Sequence, residues 1–363
     1  MTAAGTRGAG LIAGFVLRTS RESIPYSQEE MAEILGVSVA TYQGWESGRR
    51  PIANMRSSDL LGLRRRLPAL GADLDVVSLL DAAMDADRVI EVALAPPRHG
   101  VPHPLSEWVH TRDTAHMIAW AVNGSPPPVL RRRPVPARRG PVASAPRLTP
   151  DERAVFFAHL RDTAEGAACH RGEGSLLHRQ ALYLASYDPG ADAASWTAHA
   201  LHSRRGVLVG RGWTPQWAEA RSIATALARL GDPQPLWDFI ERSMADSDDG
   251  EVANLNYWAL WLGAIQRPQA NDAFMRDRAM KDWDPVTLLR GLVHGIHQAP
   301  GFVDLYAHTV WALLEKHRWL PLAAGDLLRT LTRQTTELLD DGALSERARR
   351  ELSAVYYRLG EHD

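Results

Sequence analysis

The sequence predicts an all-α protein in two parts joined by a linker, and three observations carry that expectation. Apolar residues recur at three- and four-residue spacing along most of the 363 residues, and alternating strand patterns are absent. Residues 28–50 read QEEMAEILGVSVATYQGWESGRR, two short helical patterns joined by a glycine turn. Residues 124–150, GSPPPVLRRRPVPARRGPVASAPRLTP, hold eight prolines and six arginines but no acidic residue. Such a composition forbids a helix interior or a central strand, so a semi-extended linker is expected there.

The chain opens MTAAGTRGAGLIAGFVLRTSRES. Its apolar run is too short for a secretion signal and grades into a first helix. Ser27 is a candidate N-cap for the second helix, with Glu30 three residues on completing a capping box. Met31, Ile34 and Leu35 share one face, and Gly36 suits a left-handed helix end. Ser38 caps a third helix, predicted over about 39–47, on which Tyr42 and Trp45 recur before Gly48 stops it. Two short helices joined in this way make a helix-turn-helix, whose second helix can lie in a DNA major groove.

The same residues resemble the Cro/C1-type (XRE) helix-turn-helix family over residues 11 to 70. Gln28 matches the glutamine that opens the family's second helix, Ala32 the small residue at the helix contact, and Gly36 the turn glycine. Trp45-Glu46 with Gly48-Arg49-Arg50-Pro51 matches the family's WE-x-GRR-P ending. The resemblance implies a lambda-repressor-like fold for residues 1–70 and binding to double-stranded DNA. It also implies a structural salt bridge between Arg21 and Glu46, with a direct contact from Arg21 to a DNA phosphate as the alternative.

From the start of the recognition helix, Val39, Ala40, Gln43 and Gly44 are the expected base-facing residues. Gln43 can contact an adenine edge with two hydrogen bonds, while Val39 and Ala40 can touch a thymine methyl. The family often has a long polar or basic side chain where this chain has Gly44, so direct readout is expected to be weak, with DNA shape contributing. Gln28, Ser38, Thr41, Arg49 and Arg50 are the phosphate candidates. Gln28 and Ser38 can equally serve as ordinary caps.

Beyond the motif, residues 71–123 are expected to be a helical extension. LDVVSLLDAAMDADRVIEVAL, from Leu74, reads as one amphipathic helix, and LSEWVHTRDTAHMIAWAV, from Leu105, as another. Residues 124–150 are the expected domain boundary. Residues 151–363 read as an irregular series of helical hairpins, TPR- or HEAT-like in ALARLGDPQPLWDFIERSM but without a constant period. Nine of the twelve tryptophans lie there and are expected to anchor the core.

Composition narrows the function classes. Apolar content is 45%, charged content 23% and formal net charge −2, so any attraction to nucleic acid must be local. Residues 1–70 supply a mild bias, nine arginines against six acidic residues. Cys169 is the only cysteine, which excludes an intramolecular disulfide and fits a reducing compartment. No apolar run is long enough to span a membrane. A cytoplasmic, nucleoid-associated bacterial protein is expected. The histidine pairs His99/His103, His199/His202 and His294/His297 lack the further ligands of a metal site, and Cys169-His170 is only a sequence neighbour pair. GVLVGRG at Gly206 lacks the ending of a phosphate loop. Asn254 and Asn256 read either as clamps for a peptide backbone or as amides that are solvent-exposed or paired only to avoid an unsatisfied polar group. No enzyme, cofactor or metal is expected.

The sequence therefore points to a transcriptional regulator that acts as a homodimer, with residues 151–363 dimerising or sensing a small-molecule, peptide or protein effector. Two alternatives stand beside it: a peptide- or ligand-sensing regulator with a TPR-like receptor domain, and a helical scaffold that uses the N-terminal module for recruitment.

Overall fold

The computed structural model describes residues 10–95, 101–131, 143–168, 175–295, 303–340 and 344–360. Among these residues there is no strand. His99, Cys169, His170 and His297 lie outside the described residues, as does the centre of the Pro/Arg-rich segment, 132–142.

Two compact units divide the chain. The first spans Met1–Cys169 with Gln180–Gly190, and the second spans His170–Arg179 with Ala191–Asp363. The division thus falls beyond the expected 124–150 boundary, and the reason is packing. Pro146 and Leu148, at the end of the proline-rich segment, are buried, and Leu148 N donates to Ala121 O at 3.0 Å. A threonine capping box then starts the next helix. Thr149 N donates to Glu152 Oε2 at 2.8 Å and Glu152 N to Thr149 Oγ1 at 3.3 Å.

The first unit is built on α1 (Leu11–Glu22), α2 (Gln28–Leu35), α3 (Val39–Glu46), α4 (Ser57–Ala69), α5 (Leu74–Val77) and α6 (Leu80–Leu94). It continues through α7 (Pro104–Glu107), α8 (Arg112–Asn123), α9 (Pro128–Arg131) and α10 (Pro150–Ala168). Helix α1 packs on α3 and α6, and α6 on α8 and α10. Gly10 gives α1 no side-chain cap. Asp87 of α6 supplies one instead, accepting from Ile12 N and Ala13 N at 2.9 Å each. The Phe15 and Trp120 rings meet edge to face, 4.8 Å apart.

Two expected helices are broken. The pattern from Leu74 splits into α5 and α6 around Ser78, whose hydroxyl bonds back to Asp75 O at 2.8 Å and competes with the helix ladder. The pattern from Leu105 splits into α7 and α8, with Trp108 extended between them. Gln180 captures that break: its Oε1 accepts from His110 N at 2.7 Å, and its Nε2 donates to Leu105 O at 2.7 Å and Trp108 O at 3.1 Å. Backbone groups freed from a helix are satisfied by a side chain about seventy residues away.

Helix α11 (Ser175–Ala185) contributes to both units. The second unit continues with α12 (Ala191–Ser203), α13 (Trp217–Arg229), α14 (Gln234–Ile240), α15 (Asp248–Trp261) and α16 (Pro285–Gly295). It ends with α17 (Val303–Lys316), α18 (Leu320–Ala324), α19 (Asp326–Asp340) and α20 (Glu346–Gly360). The α13–α14 hairpin turns at Gly231, φ 92°, as its Gly-Asp-Pro sequence predicts. Trp217, Trp258 and Trp283 are buried, whereas Trp319 is half exposed. Asn254 and Asn256 are structural amides. Asn254 Nδ2 donates to Thr309 Oγ1 at 3.0 Å, and Asn256 bridges Met275 O, Asp277 O and the Trp283 indole N–H.

Candidate nucleic-acid interface

The helix-turn-helix forms where its sequence signals lie. Ser27 caps α2 by accepting from Glu30 N at 3.2 Å, and Glu30 returns the bond to Ser27 N at 2.7 Å. This hydrogen bonding holds the Glu30 carboxyl below its ordinary pKa. Gly36 ends α2 in the left-handed region, φ 69°. Ser38 caps α3, its Oγ accepting from Thr41 N at 3.2 Å and lying 2.9 Å from Thr41 Oγ1. Helix α3 buries Tyr42, Trp45 and Glu46 against the unit.

The Arg21–Glu46 pair is present and is tighter than an exposed ion pair. Arg21 Nε donates to Glu46 Oε1 at 2.6 Å and Nη2 to Oε2 at 3.2 Å. The side chains are 14% and 2% exposed. Burial acts to lower the Arg21 pKa, and the hydrogen bond and charge of Glu46 outweigh it, so the guanidinium stays protonated. Tyr42 beside them is held neutral, its pKa pushed well up by burial first and then by the Glu46 carboxylate.

This ion pair reaches into the predicted DNA-contacting residues. Gln28 Nε2 donates to Glu46 Oε2 at 2.6 Å, and Gln43 Nε2 donates to Gln28 Oε1 at 3.3 Å. Gln28 and Gln43 are half-buried, so α1, α2 and α3 are tied together through one polar chain. Neither glutamine is a freely rotating surface amide. Ser38, Ala40, Arg49 and Arg50 are exposed, and Val39 and Thr41 are half-buried. Arg49 Nε donates to Ser47 Oγ at 3.4 Å.

Gly44 departs from its expected exposure. It is buried, and the atoms that cover it belong to Arg50. A Cβ placed on Gly44 would lie 3.0 Å from Arg50 Cδ and 3.1 Å from Cγ. Arg50 Nη1 reaches on to donate to Thr41 Oγ1 at 2.7 Å.

Two structural residues escaped the sequence reading. Gly14 lies where α1 crosses α3, and a Cβ there would meet Trp45 O at 2.4 Å and Glu46 O at 2.9 Å. A glycine inside an apolar helical pattern is the signal for such an approach. Asp87, the cap of α1, is an acidic residue on a buried face, which is a weaker signal. Basic side chains extend the surface. Arg66 bonds to Ile34 O, and Arg64 pairs with Asp81 at 2.9 Å.

Residues 17–56 match the family model for a helix-turn-helix, and they form a Cro/C1-type helix-turn-helix domain. No curated protein and no solved structure matches the chain. Among the described residues, no group of three or more His, Cys, Asp or Glu could hold a metal ion. No helix there is long and apolar enough to cross a membrane.

Proposed function

We propose that the protein is a sequence-specific, double-stranded-DNA-binding transcriptional regulator of bacterial type, acting from the cytoplasm as a homodimer. Helix α3 enters the major groove, with Ala40, Val39, Gln43 and Arg50 toward the bases. Ser38, Thr41 and Arg49 meet phosphates, and Gln28 positions Gln43. The observation that carries this reading is the polar chain Arg21–Glu46–Gln28–Gln43, which fixes α3 against its neighbours while Ala40 and Ser47 on its other side stay exposed. Preorganisation of this kind lowers the ordering cost of binding. A two-fold dimer would read half-sites about one helical turn apart. The reading assigns no catalysis and no cofactor.

A polar cleft of about 240 Å³ in the second unit is lined by Trp237, Ile240, Asp304, Arg347 and Glu351, which is smaller and more polar than a typical small-molecule site. Fluorescence anisotropy of the intact protein on a mixed duplex pool, over a salt series, tests the DNA-binding reading. Affinity that falls steeply as salt rises supports it. Absence of binding at about 50 mM salt contradicts it.

A further inference from the structure

We propose that Arg50, rather than a residue of the recognition helix, is the principal base reader, and that it recognises guanine. This rests on the reading of α3 as the groove helix. The inward side of α3 is Tyr42, Trp45 and Glu46. The opposite stripe is Ala40, Gly44 and Ser47, at spacings of four and three residues. These three supply only a methyl group, no side chain, and a hydroxyl that already donates to Gly44 O at 3.2 Å. Gln43 beside them has its amide N–H turned to Gln28. The stripe itself therefore lacks a strong donor for a guanine edge.

Arg50 supplies one from outside the helix. The chain turns at Gly48, φ 74°, and Arg50 N donates to Gly44 O at 3.0 Å. The methylenes of Arg50 then run back over Gly44, occupying the space that a side chain at 44 would fill. The guanidinium comes to rest at Thr41, one turn nearer the start of the helix. Thr41 is in turn braced by Ser38 at 2.9 Å. The charge is thus held over the first turn of α3, the part of a recognition helix that meets base edges. A guanidinium carries five N–H donors in a planar fork. One donates to Thr41, and no carboxylate among the described residues pairs with Arg50. The remaining donors suit the O6 and N7 acceptors of guanine, which the major groove presents together. Gly44 then has a purpose: any side chain there displaces the reader.

The test is selection of bound duplexes from a randomised pool by the intact protein and by Arg50→Ala, Arg50→Lys and Gly44→Ala. The wild-type sites are expected to share a guanine at a fixed position. Arg50→Ala and Arg50→Lys should lose about 5- to 150-fold preference there, the lysine failing because it has no fork, while other positions keep theirs. Gly44→Ala should weaken the same preference without lowering the melting temperature, since the three atoms nearest its Cβ all belong to the flexible Arg50 side chain and alanine favours a helix. The proposal is overturned if Arg50→Ala weakens selected and scrambled duplexes alike, with a salt slope smaller by about one and Arg50→Lys close to wild type. That pattern belongs to a phosphate contact. If the wild-type protein selects a sequence whose guanines are all indifferent to Arg50, this proposal fails and the DNA-binding reading stands. If it selects no sequence, both fail.

Discussion

Removing the Glu46 carboxylate should loosen the N-terminal three helices, and the structure sets the magnitude. In Glu46→Ala the Arg21 guanidinium loses both of its bonds to the carboxylate, and Gln28 loses its 2.6 Å acceptor. With side-chain exposures of 14% and 2%, little water can replace them. Leaving one charge of a buried pair alone costs about 3–5 kcal/mol, whereas an exposed pair is worth under about 1 kcal/mol. Glu46→Gln keeps an acceptor oxygen but not the charge, so a loss of about 1.5–3 kcal/mol is expected. Amide hydrogen exchange on the full chain is the assay, because it reads α1–α3 separately from the rest. Protection in those helices should fall by roughly 140- to 3,700-fold for Glu46→Ala, at 1.4 kcal/mol per factor of ten. Unchanged protection, or a loss within the range of an exposed pair, would show that the pair does not hold the three helices together.

Other perturbations have equally definite outcomes. Gly14→Ala should destabilise the first unit by about 1–3 kcal/mol, because the added methyl meets backbone rather than a movable side chain; an unchanged thermal melt would contradict this. Asp87→Ala should cost about 2–4 kcal/mol by orphaning two buried N–H groups, read in the same melts. Burial raises the Asp87 pKa to about 7 against the opposing pull of Ala13 and Ile12 N–H. Its carboxyl binds protons more tightly folded than unfolded, so its contribution to stability should fall as pH rises from about 4 to 7. His308 behaves on a different window. Burial acts to lower its pKa, but Glu251 and Glu351, each 2.9 Å away, raise it to about 9. Its stabilisation of the second unit should be complete below about pH 6.5 and lost as pH rises through about 9, followed by exchange of α15, α17 and α20 amides. Flat protection across that range would show that the imidazole is not held charged.

Much of the N-terminal unit was legible because its signals are local. Ser27 and Glu30, Gly36, and Ser38 mark helix ends within a few residues of themselves, and the structure places the ends there. The Arg21–Glu46 pair was reachable through the family resemblance, since nothing local links residues 25 apart. What was not legible depends on distant partners. The breaks near Ser78 and Trp108 lie in patterns that favour continuous helices, and at Trp108 it is Gln180 that decides. The proline-rich segment lacks helical periodicity, yet Pro146 and Leu148 are buried, which composition averaged over 27 residues conceals. Gly44 read as an exposed gap because the course of a flexible arginine six residues later leaves no trace in spacing. The hairpins of the second unit were visible as elements, but with no constant repeat their packing could not be inferred.

In the proposed complex α3 lies in the major groove of double-stranded DNA. Methylation protection at guanine N7, on the tightest duplex obtained by selection, tests it most directly, since that atom faces only the major groove. Protected guanines are expected to cluster on one face of the duplex, with a second cluster about one helical turn away if a dimer binds. Ala40→Glu is expected to abolish the protection while leaving the protein folded, since Ala40 is exposed. Bound protein with every guanine N7 still fully reactive, or protection unaffected by a charge placed at residue 40, would contradict it.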